Sequence, residues 1–123
     1  MRALQILAIS AGLAASVLTQ AAFSAPTLSG DRFVNMMIRP EPLSSYDYMQ
    51  REKAYSYLDG ARDSAEGRTW CDVDQLKTPD LAYELADQIA KLPPAERKKN
   101  ASALILRLLG QAFPCQPAKG ARP

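Results

Sequence analysis

Proline decides how long any element of this chain can be. Nine prolines stand in 123 residues. Inside the chain they fall at Arg39-Pro40-Glu41-Pro42, Thr78-Pro79-Asp80, Pro93-Pro94 and Pro114. Each lacks the N–H that a helix interior or a central strand would use, and each turns its predecessor away from helical geometry. Between these stops apolar residues recur every three or four positions, and no run of four or more alternates as a strand does. The chain is therefore confined to short amphipathic helices.

The spacing predicts four. The first lies near Gly30–Met37, capped by Ser29, with Phe33, Met36 and Met37 on one face. The second runs near Ser45–Glu66, capped by Ser44 or Ser45. Its stripe is Ala54, Leu58, Ala61 and Ala65, flanked by Tyr55 and Tyr57, and Gly67 stops it. Gly60, in mid-helix, is about 1 kcal/mol worse than alanine, which argues for a close helix crossing there. The third opens at Thr78-Pro79-Asp80, with a capping threonine, proline at the first helical position and an acid in the first turn. Leu81, Leu85, Ile89 and Leu92 form its core face. The fourth runs near Pro94–Phe113, with Ala101, Leu104, Ile105, Leu108 and Ala112 inward and Leu109 widening the stripe. The segment from Gly67 to Lys77 has no period and reads as a loop. Short connections make neighbouring helices antiparallel, so the expected fold is all-α: a small bundle of about four helices.

Residues 1–24 read as a secretory signal peptide. Arg2 supplies the positive start, Ala3 to Leu18 is mostly small and apolar, and Ala22-Phe23-Ser24 is a cleavage site. The run is short for a bilayer span, which needs about 20 residues. Expected domains are the signal peptide 1–24, a helical domain over 25–115 and a mobile polar tail over 116–123. The exported chain would have no membrane association. Of 15 basic residues only Arg2 lies in the leader, so 14 remain against 13 acidic ones. A balance so near neutral offers no basic face for nucleic acid, which binds through displaced counterions.

Histidine is absent. That excludes Ser-His-Asp and Cys-His catalysis and any imidazole metal site. Two cysteines are too few for a cysteine-rich zinc site, and no cofactor or metal is expected. In an oxidising compartment Cys71 and Cys115 point to a disulfide. A reactive thiol would want bases beside it, whereas Cys71 has Asp72 and Asp74. The link would close a loop of about 45 residues, roughly 4 kcal/mol in the chain-entropy model. It would tie the loop after the second helix to the end of the fourth.

The remaining surplus is aromatic. Five tyrosines (Tyr46, Tyr48, Tyr55, Tyr57 and Tyr83) and one tryptophan exceed what a small core needs, and such side chains give rigid contact area at interfaces. The expected partner surface is the Gly67–Asp74 loop and the tyrosine-bearing helix, through Arg68, Trp70, Asp72, Asp74 and Tyr55. Trp70 either shields the disulfide, with the tyrosines covering the bundle, or anchors this surface, in which case its loss would weaken a complex by about 2 kcal/mol or more. Asp59, Asp63 and Glu66 are the only acids grouped for acid–base chemistry, and Asp59 and Asp63, four apart beside Arg62, read first as solvated surface.

Several pieces stand in a telling order. Tyr57-Leu58-Asp59-Gly60-Ala61-Arg62-Asp63 comes first, then Cys71, the helix Leu81–Leu92, Leu92-Pro93-Pro94-Ala95-Glu96-Arg97, and Ala112-Phe113-Pro114-Cys115. Together they resemble the Rap/Tai family of immunity proteins, which protect bacteria against type VI secretion amidase effectors. The resemblance covers roughly residues 30–115. Family members often carry a second cysteine pair, one of it just before the tyrosine-bearing helix, where this chain has Lys53 and Ala54. The match transfers no contact residue. It implies a periplasmic inhibitor, without chemistry of its own, that occludes a peptidoglycan amidase, and it admits a homodimer. The alternative is a small periplasmic holdase, similar to the acid-stress chaperones, which are also helical, exported and built around one disulfide.

Overall fold

The computed structural model describes residues 27–116. The expected signal peptide and residues 117–123 of the expected tail lie outside them. Five helices follow one another: α1 Gly30–Met37, α2 Ser45–Ala65, α3 Thr78–Ala90, α4 Pro94–Arg97 and α5 Ala101–Ala112. Among the described residues there is no strand, only two isolated bridges, Ser29 with Asn100 and Glu66 with Trp70. No described helix is long and apolar enough to cross a membrane.

The first two helices start as their sequences predict. The Ser29 hydroxyl accepts from the Arg32 N–H at 3.2 Å and that of Ser44 from the Asp47 N–H at 3.0 Å, so each satisfies a donor left over in the first turn. Gly67, at φ +81°, takes the left-handed turn that ends α2.

The third and fourth segments depart from expectation. Thr78 does not cap α3. Lys77 holds that position without a side-chain bond, and the Thr78 hydroxyl is engaged by Arg62 and Asp59 of α2 instead. The expected fourth helix is broken in two. Asn100 turns the chain and caps α5, its Oδ1 accepting from the N–H of Ser102 at 2.9 Å and of Ala103 at 3.3 Å. The break frees the backbone of residues 99–101 to pair with the entry to α1: Gly30 N–H donates to Lys99 O at 3.0 Å and Ala101 N–H to Leu28 O at 2.8 Å. Gly30 makes this contact sterically feasible, since a Cβ there would lie 2.8 Å from the Arg97 carbonyl oxygen.

The core is formed by α1, α2, α3 and α5, with α1 lying against both α2 and α3 and α2 against α3 and α5. Trp70, Phe33, Met37, Leu58, Ile89, Leu104, Ile105 and Leu109 are its large, fully buried members. At about 1.5–3 kcal/mol for each large side chain removed from water, this set supplies most of the drive to fold. Among the described residues no polar or charged side chain is fully buried. On α5 the buried stripe is Ala101, Leu104, Ile105 and Leu109, while Leu108 is partly exposed and Ala112 exposed. The inward face therefore turns through Leu109, which leaves Leu108 and Ala112 beside α3. The crossing expected at Gly60 is not there: nothing lies within 4 Å of a Cβ at that position. The close approach is made instead by Gly110 of α5 against the loop, where a Cβ would stand 2.9 Å from the Thr69 carbonyl oxygen.

Cys71 and Cys115 form the expected disulfide, their Cα atoms 4.8 Å apart. Beside it the Cys71 N–H donates to Phe113 O at 2.9 Å. The loop after α2 is thus fastened to the end of α5 by one covalent and one hydrogen bond.

Candidate functional site

The loop 66–77 has no helical or strand pattern of its own, yet its polar groups are tied down, chiefly by Arg62 of α2. That guanidinium is largely buried. It donates to Thr78 Oγ1 at 2.9 Å, to Asp72 Oδ2 at 3.1 Å and to the Leu76 carbonyl at 2.9 Å. It also lies over the Trp70 ring, 5.5 Å from its centre. Asp72 is held from both sides, since its other oxygen accepts from the Leu76 N–H at 3.2 Å. A charged, planar, multi-donor group suits this role, because each fork of a guanidinium can meet a different acceptor without moving.

Trp70 is part of the same anchorage. It is 1% exposed, and its indole N–H donates to the Arg62 carbonyl at 3.0 Å. The expected surface anchor is therefore a core residue that fixes the loop from beneath. Asp72, paired to Arg62, likewise shapes the loop. Outward the loop presents Glu66, Arg68, Thr69, Val73, Asp74, Gln75 and Lys77. Arg68 is exposed, its guanidinium reaching the Ser64 carbonyl at the end of α2. Val73 is 74% exposed, a large apolar side chain at the loop's tip with no sequence periodicity to mark it. Gln75 adopts a positive φ of 50°, which a fully engaged loop can enforce.

Tyr55 is set apart from these residues. It lies ten positions before the end of α2, roughly 15 Å back along the axis at 1.5 Å per residue. There it meets Tyr83 of α3, and burial together with that neighbour pushes its phenol above the ordinary value. Arg51 sits over the Tyr83 ring at 5.3 Å. Tyr46, Tyr48 and Met49 at the start of α2 are exposed large side chains, whereas the Tyr57 hydroxyl accepts from the Ser102 N–H at 2.9 Å and braces α5. The tyrosines thus divide between exposed surface and packing.

The acids grouped by sequence are mostly engaged. Asp59 is bound by the Thr78 hydroxyl and lies 3.8 Å from Arg62. Glu66 accepts from the Asp72 N–H at 3.4 Å. Among the described residues no cluster of three or more metal-ligating side chains is present. Arg97, at the proline-started turn, closes the end of α3 through the Leu92 carbonyl at 2.8 Å and pairs with Asp31 of α1 at 2.8 Å. The arrangement can recognise a surface, through a held loop that offers cations at Arg68 and Lys77, acids at Glu66 and Asp74, and one apolar tip.

Sequence reasoning located the loop but not its determinants. Arg62 looked like a solvated charge beside two aspartates. A single arginine three residues before a helix end gives no sign that two acceptors from a later loop and one from the start of α3 will converge on it.

The family model described as Rap1a immunity proteins matches residues 29–115. That span takes in all five helices, the loop and both cysteines. No curated protein matches the chain.

Proposed function

Because the chain belongs to the Rap1a immunity protein family, we propose that it binds a peptidoglycan amidase delivered by type VI secretion and covers that enzyme's active-site cleft in the periplasm. It does so by contact, with no chemistry of its own and no cofactor. The family match over residues 29–115 carries this reading. The anchored loop supports it physically: a surface whose polar groups are already satisfied loses little conformational freedom on docking, so more of its contact energy appears as affinity. Arg68, Val73 and Asp74 are its contact residues, and Trp70 and Asp72 hold them in place.

The test is direct. The exported chain is mixed at neutral pH with the amidase encoded beside its gene, and complex formation and peptidoglycan cleavage are both measured. Stoichiometric binding and loss of cleavage are expected. Replacing Arg68 and Asp74 together by alanine should weaken the complex about tenfold or more, with thermal unfolding unchanged. Full cleavage in the presence of an equimolar amount of this protein would overturn the proposal. Light scattering on the free chain and the complex decides whether a homodimer is the binding unit. A holdase would instead suppress aggregation of unrelated clients in acid.

A further inference from the structure

The two edges of α3 differ. One carries Tyr83 toward α2. The other borders an open cavity of about 210 Å³ between α3, the loop residue Leu76 and the last turn of α5. Leu81, Leu85 and Leu109 line it from the core, and Phe113 from the end of α5. It exists because the inward face of α5 turns through Leu109, leaving Leu108 and Ala112 along one side with none of the described residues between them and α3. Its position is secured twice: Leu76 is gripped by Arg62 and Asp72, and Phe113 by the Cys71 N–H beside the disulfide. The cavity is therefore continuous with the anchored loop.

Its volume lies below the roughly 300–1,000 Å³ of small-molecule sites and fits one large side chain. The rim sets the sign of what enters. Asp80, Glu84 and Gln88, each four residues on, line one edge, and among the described residues no lysine or arginine lines the cavity. Among the described residues neither Asp80 nor Glu84 has a cationic partner, whereas Asp87, near the end of the same helix, pairs with Lys91 at 2.7 Å. Asp80 stands in the first turn of α3, where the helix dipole favours an acid. Glu84 is beyond that turn and accepts only the Gln88 amide at 2.9 Å.

We infer that this cavity is a socket for one large apolar side chain of the bound enzyme, presented next to a lysine or arginine that meets Asp80 and Glu84. The inference rests on the proposed binding of an amidase and names a second, chemically defined point of contact. Apolar burial in the socket supplies affinity, and the unpaired carboxylates select a basic neighbour and speed encounter.

Two variants test it with the neighbouring amidase as probe. Ala112→Trp fills the socket from an exposed position and leaves the core residues untouched. Glu84→Lys reverses the charge of the rim on an exposed helix surface. Each should weaken binding about tenfold or more while circular dichroism and thermal unfolding stay as in the unmodified chain. Glu84→Gln should also flatten the fall of affinity with salt. An unmodified chain that binds while both variants bind within about twofold of it overturns the socket and leaves the amidase reading standing. An unmodified chain that ignores the amidase overturns both. Should Ala112→Trp fail to fold, the two Glu84 variants decide the question alone.

Discussion

A Cβ on Gly110 would meet the Thr69 carbonyl oxygen at 2.9 Å, and one on Gly60 would meet nothing within 4 Å. Both glycines sit inside helices and carry the same intrinsic penalty, so their substitutions should have opposite signs. Gly60→Ala should stabilise the fold by about 1 kcal/mol, the helix-propensity gain with no clash. Gly110→Ala should destabilise it by about 1–3 kcal/mol, because α5 must move off the loop. Urea titration of the two variants measures both. Trp70 makes the same point for binding. Its removal should cost about 3–5 kcal/mol of stability, as for any large aromatic in a core, so weaker binding by Trp70→Ala would report a disordered loop and not a lost contact. The sequence, where Trp70 stands among polar residues beside Cys71, admits both a shield for the disulfide and an exposed anchor, and the structure decides for the buried one. Its place in the core depends on Arg62 offering a ring-stacking cation and a carbonyl from another element.

At the scale of elements the informative feature is the break between α4 and α5. The residues from Pro94 to Phe113 keep a helical period throughout, and period alone predicts one helix. Asn100 and the pairing of residues 99–101 with residues 28–30 outweigh the continuous helix, since the broken form satisfies the backbone of two segments at once. Asn100→Ala should cost about 1 kcal/mol, the usual loss for a helix cap. Glu96 ties the two pieces together, accepting from Lys99 at 2.7 Å and from Arg107 of α5 at 3.3 Å. Those hydrogen bonds hold its carboxyl below the ordinary value of 4.5. The sign follows: a lowered carboxyl pKa stabilises the fold above the ordinary value, and the contribution is lost as pH falls through the lowered one. Between α4 and α5 the chain should therefore loosen in acid, visible as lower amide-exchange protection, relative to the intrinsic rate at each pH, near Lys98–Ala101, and Glu96→Gln should abolish that dependence.

For the whole molecule the disulfide matters most. Cys71 and Cys115 are 44 positions apart, and opening such a loop should cost roughly 4 kcal/mol in the chain-entropy model. Against a typical total of about 5–15 kcal/mol, reduction should lower the unfolding midpoint sharply. Thermal unfolding with and without a thiol reductant measures the difference. The first part to loosen should be the loop and the socket, because Leu76 and Phe113 stand on either side of the bond. Proline positions, caps and apolar spacing made the helical class, the start of each early helix and the cysteine pair legible beforehand. The socket was not, because it arises from the rotation of α5 about its own axis.

Local rules act over three or four residues, and the sequence by itself therefore determined the helical class and where α1 and α2 begin; that Cys71 and Cys115 would meet followed from there being only two cysteines in a chain read as exported, and the family resemblance from the order of the motifs. Only the tertiary structure decided which face of α5 is inward, which glycine has another segment against it, that Trp70 is core, and that Arg62 holds the loop from which Arg68, Val73 and Asp74 project. Those outcomes depend on residues from different elements competing for the same space and the same hydrogen-bond partners. Spacing along the chain carries no record of that competition.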